Sequence, residues 1–394
     1  MKKLTFTGIV AMLCCVGMLF GASDTAVAAA ADTVEGTWIG EFRSHRWQEV
    51  SETLWITMRA RTDRERHGFS LYLPIKDLDG LTIAPGHSGD AQVQFTLPRE
   101  AGQFIFEGRF KGDTGSGTFT FTSSDAYERK MEGLGYGGLS TDDLFSLAIH
   151  DVTTDFVEEL RDLGYAGLPY DDLVAMRIHG ATPDFIRDLQ GLGYDGLDVD
   201  ELVAMRIHGV SPAFVRALDG LGYDNIDADD LVAMRIHGVD PDFIEELREA
   251  GYEGLDIDEL VAMQIHGVTP DFMQEVIDLG FENVSIDDLT TMRIHGVSAD
   301  YIRDIEALGY TRPSLDRIVE MRIHGVKTRY IRDLAALGYT NVPLSKLVEM
   351  RIHGVSIGFV REMKEAGYSP SVGKLIEMKI HGIDADYVKT VRGN

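Results

Sequence analysis

Histidine returns on a nearly fixed period through the C-terminal two-thirds of the chain. His150, His179, His208, His237, His266, His295, His324, His353 and His381 follow one another at 29 residues seven times and then at 28. Nine copies in register mean a segment built by repetition, and a repeated unit buries its apolar side only by stacking on its neighbours. One unit reads Asp198-Val199-Asp200-Glu201-Leu202-Val203-Ala204-Met205-Arg206-Ile207-His208-Gly209-Val210-Ser211-Pro212-Ala213-Phe214-Val215-Arg216-Ala217-Leu218-Asp219-Gly220-Leu221-Gly222-Tyr223.

The unit carries its own helix punctuation. Asp198 with Glu201, and Asp256 with Glu259, have the spacing of a capping box that opens a first helix. Gly209 stops it, because a residue without Cβ can take the left-handed conformation. Ser211-Pro212 opens a second helix, with proline where a missing N–H costs nothing; Thr182-Pro183, Asp240-Pro241 and Thr269-Pro270 repeat this. Gly222 ends that helix, and Tyr223 is placed for the contact that closes a Schellman motif. The first helix (Leu202, Val203, Ala204, Met205, Ile207) reads as apolar nearly all round and is expected between neighbours, whereas the second has a single stripe of Phe214, Val215, Leu218 and Leu221. Residues 124–136 and 384–392 match the second helix alone, so half-repeats open and close the array, giving nine first and ten second helices. The first copy departs from the rest: Ala148 stands for arginine and Asp151 for the stop glycine.

Before the repeat the period is two. Strands are expected over 36–42, 53–59, 69–73, 92–97, 103–110 and 118–122, with turns at 98–102 and 112–117. This predicts an antiparallel meander, closed into a small barrel or sandwich of about 90 residues. Gly36-Thr37-Trp38 resembles the G-x-W start of lipocalin-like and avidin-like barrels. No linker separates the last strand from Ser124, so the β domain is expected as the array's N-terminal cap.

Residues 1–31 read as a cleaved signal peptide: Lys2 and Lys3, then an apolar run from Leu4 to Gly21, then alanine-rich cleavage sites over 26–31. The chain's two cysteines, Cys14 and Cys15, would leave with it, so no disulfide or thiol chemistry is expected in the mature protein. The expected domains are therefore 1–31 signal, 32–123 antiparallel β domain, and 124–394 an α-solenoid of helix-pair repeats, an α+β two-domain fold with a periplasmic or secreted location and no membrane span after cleavage.

The formal charge is −27, which argues against nucleic acid and anionic membranes as partners. It is unevenly spread. Residues 123–300 hold 39 acidic and 10 basic side chains, and residues 301–394 hold 11 and 15. The histidine ladder invites a metal reading, but zinc needs its ligands around one ion at about 2.0–2.1 Å, and helices stacked about 8–10 Å apart keep equivalent histidines from sharing one. The nine histidines are read instead as structural, each in the last turn of its helix beside the unpaired carbonyls. In Asp-rich loops such as Asp195 to Glu201 the alternate positions fall on leucine and valine, which suits helix caps better than a calcium loop. The recurring arginines 177, 206, 235, 293, 322 and 351 could pair with these acids between repeats, and the tyrosines after the stop glycines suit a core or cap role. His45, His67 and His87 are isolated, and no triad, carboxylate pair, phosphate loop or H-E-x-x-H motif emerges.

The Leu-Val-Ala-Met-Arg-Ile-His-Gly-Val-x-Pro-x-Phe unit resembles repeats in the C-terminal extracytoplasmic regions of bacterial membrane-embedded sensor metallopeptidases and in other exported bacterial proteins. The likeness covers residues 124–392 and the repeat alone. The peptidase zinc motif and transmembrane helices have no counterpart, so no catalytic residue carries over. The resemblance implies an exported bacterial protein engaged in recognition. The expectation is a non-enzymatic binding or scaffold protein without cofactor, taking a basic protein or peptide on its acidic solenoid; the alternative is a carrier holding a small ligand in its β domain.

Overall fold

The computed structural model describes residues 33–42, 53–61, 66–281 and 284–392. The expected signal peptide and His45 lie outside them. Two compact units divide the chain, residues up to Thr154 forming one and Asp155 onward the other. The architecture is α+β: a six-stranded antiparallel sheet followed by helical repeats.

The strands are β1 (Thr33–Phe42), β2 (Thr53–Arg61), β3 (Arg66–Pro74), β4 (Asp90–Arg99), β5 (Gly102–Lys111) and β6 (Thr114–Ser123), in the order β3-β2-β1-β6-β5-β4. All six stand where the period-two pattern places them. β3 and β4 are the edges, and the β3–β4 connection returns to β4 through Asp79, whose amide donates to the Thr96 carbonyl at 2.9 Å while Thr96 donates back at 2.8 Å. Alternate residues turn Trp38, Leu54, Ile56, Met58, Phe95, Phe104, Phe106, Phe110, Phe119 and Phe121 into one core, none more than 2% exposed.

Four glycines shape this core. Gly115 and Gly117 were expected in a turn; they lie instead inside β6, because β5 and β6 are joined tightly through Gly112-Asp113, with Lys111 opposite Thr114. Gly117 faces Trp38 on one side and Gly108 on the other. A Cβ on Gly117 would fall 1.9 Å from the Glu107 carbonyl oxygen, and one on Gly108 2.7 Å from the Trp38 ring. The indole lies across this bare row, and its Nε1 donates to the carbonyls of Glu107 (3.2 Å) and Thr118 (3.1 Å). It reaches Phe95 on β4 at 5.6 Å between ring centres. Three strand steps would span about 14 Å in a flat sheet, so the sheet is strongly coiled about Trp38. Gly36 and Gly115 likewise lie under Phe119 and Phe110.

Nineteen helices follow among the described residues. The second helices of the units are α1 (Asp125–Gly133), α3 (Thr154–Asp162), α5 (Pro183–Gln190), α7 (Pro212–Gly220), α9 (Pro241–Glu249), α11 (Pro270–Asp278), α13 (Ala299–Ala307), α15 (Thr328–Ala336), α17 (Ile357–Glu365) and α19 (Ala385–Arg392). The first helices are α2 (Thr141–Ile149), α4 (Tyr170–His179), α6 (Val199–Ile207), α8 (Ala228–His237), α10 (Ile257–His266), α12 (Ile286–Ile294), α14 (Leu315–Ile323), α16 (Leu344–Ile352) and α18 (Val372–Ile380). The half-repeats at both ends, α1 and α19, are as expected. The capping boxes at Asp198 and Asp256 form, and Thr182, Ser211, Asp240 and Thr269 cap proline-led helices. From α4 to α18 each first helix packs on the first helix of the next unit, while most second helices stack likewise on their own kind.

The first unit includes α1 and α2. Phe145 of α2 meets Phe69, Phe104, Phe119 and Phe121 at 5.4–6.2 Å, so this first helix buries itself in sheet aromatics. Asp151 takes the left-handed turn (φ 55°) that glycine takes elsewhere, and sits 3.5 Å from Arg99. Glu100 accepts from the Thr154 amide (2.8 Å) and hydroxyl (2.6 Å) and pairs with Lys130 (2.9 Å).

If the coil depends on the bare row beneath Trp38, Gly117→Ala should lower the stability of the first unit by about 3 kcal/mol. Gly68→Ala, whose Cβ would meet nothing within 4 Å, should stay within about 0.5 kcal/mol. Urea unfolding followed by tryptophan emission measures both.

Candidate interaction surface

Most residues that recur in every unit hold units together. The arginines expected to pair with acids lie over aromatic rings. Arg177, Arg206, Arg235 and Arg293 stack on Phe156, Phe185, Phe214 and Phe272 at 4.7–5.2 Å, and Arg322 and Arg351 on Tyr301 and Tyr330 at 4.8 and 5.3 Å. The same guanidinium presses on the preceding unit's stop glycine: a Cβ on Gly180 would lie 3.1 Å from Arg206, and one on Gly296 2.8 Å from Arg322. One cation therefore covers the negative end of a first helix and the ring that opens the second, which favours its charge twice. Residue 264 is glutamine, and among the described residues no cation lies over Phe243. Ion pairs between units do occur, on second helices: Arg187–Glu159 at 3.1 Å and Arg332–Asp304 at 3.2 Å.

Four tyrosines of the ladder tie their unit to the next. Tyr165, Tyr223, Tyr310 and Tyr339 donate to the carbonyls of Leu197, Leu255, Val342 and Pro370 at 2.7–2.9 Å. Their own amides close the Schellman turn, as in Tyr223 N–H to Leu218 at 3.0 Å. Tyr301 and Tyr330 donate to Val326 (2.6 Å) and Val355 (2.7 Å), and burial pushes both phenols up to about 12 against the pull of Arg322 and Arg351.

The histidines close the last turn of the first helices, where His208, His295, His324, His353 and His381 are C-caps. Among the described residues no group of three His, Cys, Asp or Glu could hold a metal ion. His150 differs from the rest. It lies 6.1 Å from Phe69, and burial lowers its pKa.

What recurs without serving the core is isoleucine. Ile178, Ile207, Ile236, Ile265, Ile294, Ile323, Ile352 and Ile380 are 47–54% exposed, whereas Ile149 of the first copy is 4% exposed. The first helix is therefore not sandwiched all round. Leu202 and Met205 mark its buried side, and Ile207, two residues on, is turned about 200° from Met205. Helix propensity does not account for it either, since leucine, lysine or glutamate would serve better. The signal was present in the sequence as an apolar residue, invariant through nine copies, at the wrong angle for the core.

The outward face of each first helix carries more. In α6 the residues Asp200, Ala204 and Ile207 share it, at spacings of four and three. Because first helices stack, these positions form rows. Asp171, Asp200, Asp229, Asp258, Asp287 and Asp316 are the exposed acidic row, and Ala175, Ala204, Ala233 and Ala262 are a half-buried floor beside the isoleucines. A second acid follows in Asp172, Glu201, Asp230, Glu259 and Asp288. At the same position stand Arg317, Lys346 and Lys374, and there the floor becomes Glu320, Glu349 and Glu377, each paired with that cation. Part of the uneven charge of the sequence thus lies in rows at the first turn of the first helices.

Within the acidic rows, charge is uncompensated. Burial, then Asp200 of the next unit and Asp171, raise the Asp172 carboxyl; burial, then Asp227, Asp258 and Asp229, raise that of Asp230. Among the described residues neither forms an ion pair. Glu100 in the first unit is the opposite case: burial would raise it, but the Thr154 hydroxyl and amide and Lys130 outweigh this and hold it below the usual range.

No described helix is long and apolar enough to cross a membrane. Comparison with protein-family models gives no match, and none of the curated proteins matches.

The two kinds of carboxyl predict opposite responses to acid. Asp172 and Asp230 bind protons more readily folded than unfolded, so the array should gain stability as pH falls through their raised folded values toward the ordinary aspartate range. Glu100 stabilises the first unit above its unfolded pKa, and that contribution is lost as pH falls through its lowered folded value. All three tryptophans (38, 47 and 55) precede the repeats. Thermal unfolding should therefore show the 222 nm helical transition rising over the first range while the tryptophan transition drops in stronger acid.

Proposed function

We propose that this chain is an exported, non-enzymatic binding or scaffold protein whose acidic repeat surface recognises a protein or peptide partner through basic side chains. The observation that carries this reading is the double acidic row on α4, α6, α8, α10 and α12. Glu201 and Glu259 also close capping boxes. Carboxylates nonetheless crowd across unit boundaries, Asp172 toward Asp200 and Asp230 toward Asp258, without a side-chain counter-charge, and a cationic partner relieves that crowding. Export rests on the signal-like residues 1–31 and on the resemblance of the repeats. The small-ligand alternative has little room inside the sheet's core, which buried aromatics and their aliphatic neighbours already fill.

A fluorescent oligolysine peptide is the probe. The chain should bind it in low salt and lose about tenfold or more in affinity when salt is raised toward 0.3 M, where screening is short-ranged. Neutralising Asp171, Asp172, Asp200 and Glu201 to their amides should weaken binding about tenfold, or about 1.4 kcal/mol. Neutralising Glu158, Asp188, Asp219 and Glu245, exposed on second helices, removes the same charge and should do much less. Equal losses from both sets would show that net charge, not this surface, attracts the peptide.

A further inference from the structure

The acidic row borders an apolar one, and the pair specifies the partner further than charge alone; this inference rests on the acidic-surface reading. Asp200 and Ile207 are seven residues apart, about 10.5 Å along the helix, which matches the roughly 10 Å diameter of an α-helix with its side chains. Between them lie Ala204 and Val203, neither of which stands above its neighbours. The same profile recurs in α4 (Asp171, Val174, Ala175, Ile178), α8 and α10. Four rungs therefore share an apolar ridge, a low floor and an acidic rim along one flank.

A partner lying along the array must offer one apolar side chain per rung, always on the same side. Rungs follow at the spacing of stacked helices, about 8–10 Å. In an extended strand about three residues cover that distance, but side chains three apart point to opposite faces, so alternate rungs would go unmatched. In an α-helix seven residues cover about 10.5 Å and return to nearly the same face. Helical period fits the ladder; extended period does not.

The surface also has an end. Thr291 replaces the floor alanine in α12, and in α14, α16 and α18 the floor is glutamate held by Arg317, Lys346 (2.5 Å) and Lys374 (2.8 Å). The acidic rim stops at Ser345 and Gly373, although Ile323, Ile352 and Ile380 remain as exposed as the others. The chain thus contains its own comparison, the same ridge without the alanine floor in α14, α16 and α18, and without the acidic rim in α16 and α18.

We propose that the outward face of α4, α6, α8 and α10 docks a cationic amphipathic α-helix of about 20 residues, laid along the array, with apolar residues seven apart over Ile178, Ile207, Ile236 and Ile265 and its lysines and arginines beside Asp171, Asp200, Asp229 and Asp258. The rim fixes the sign of the partner's charge, and the ridge fixes its period.

The test uses the chain and two fluorescent 22-residue peptides of one composition. One carries leucine at heptad positions a and d with lysine along one flank; the other is its scramble, equal in charge but not amphipathic. Anisotropy should show the heptad peptide binding at least tenfold tighter, with helical ellipticity gained in the complex. Ile207→Ser with Ile236→Ser should remove most of that advantage, while Ile323→Ser with Ile352→Ser should change it less than twofold, all variants keeping their own 222 nm signal. Equal, salt-sensitive binding of both peptides would overturn the docked helix and leave the acidic-surface reading standing. Failure of both peptides to bind in low salt would overturn the two together. Concentration-dependent self-association that the N-terminal isoleucine pair abolishes and the heptad peptide does not displace would overturn the proposal in favour of a second copy of the chain.

Discussion

Everything in the repeat region depends on one joint made again and again. Helices of eight to ten residues are shorter than the roughly 12–15 that hold together in water, so none of them persists on its own. What orders them is the next unit: an arginine seated between a ring and a helix stop, and a tyrosine hydroxyl reaching a carbonyl one unit further on. Both contacts run from one unit to its successor. Stability is consequently passed along the chain, and a unit's own sequence supplies only half of what holds it.

The first unit solves a related problem by another route. A six-stranded sheet has no neighbour of its own kind to stack upon, so it coils about an indole. Coiling that tightly requires bare backbone at Gly108 and Gly117, and the rings of Phe110 and Phe119 fill the space above Gly115 and Gly36. Phe145 then extends the same aromatic core into α2. The sheet aromatics are therefore matched to α2 as well as to one another, and that copy carries Ala148 and Asp151 where six others carry arginine and all others carry glycine.

Local chemistry made most of the fold legible. Capping residues, prolines and stop glycines act within a turn or two, and their register placed both ends of nearly every helix and both half-repeats. Alternation placed all six strands. What remained hidden depended on neighbours distant in sequence. Gly115 and Gly117 look like turn glycines until Trp38 is laid over the row they belong to. Arg206 looks like the partner of an acid until Phe185 and Gly180 are brought beneath it. Ile207 looks like core because it is apolar, yet its angle from Met205 sends it outward, and with the arrangement of stacked helices its eight copies become a row. The candidate surface was thus readable as charge from composition, but not as a face.

The glutamine at 264 has a consequence of its own. In a linear array the free energy is close to a sum of unit and junction terms, and a sum of this kind is only as continuous as its smallest junction. Every other joint from α6 to α16 keeps a guanidinium wedged between ring and helix stop, whereas at this one residue 264 is glutamine and, among the described residues, no cation lies over Phe243. Mechanical tension or partial denaturation would be relieved there first. The array then acts as two spans joined by a fuse: one ends with α8 and α9, and the other carries the remaining acidic rungs of α10 and α12 on into the C-terminal units.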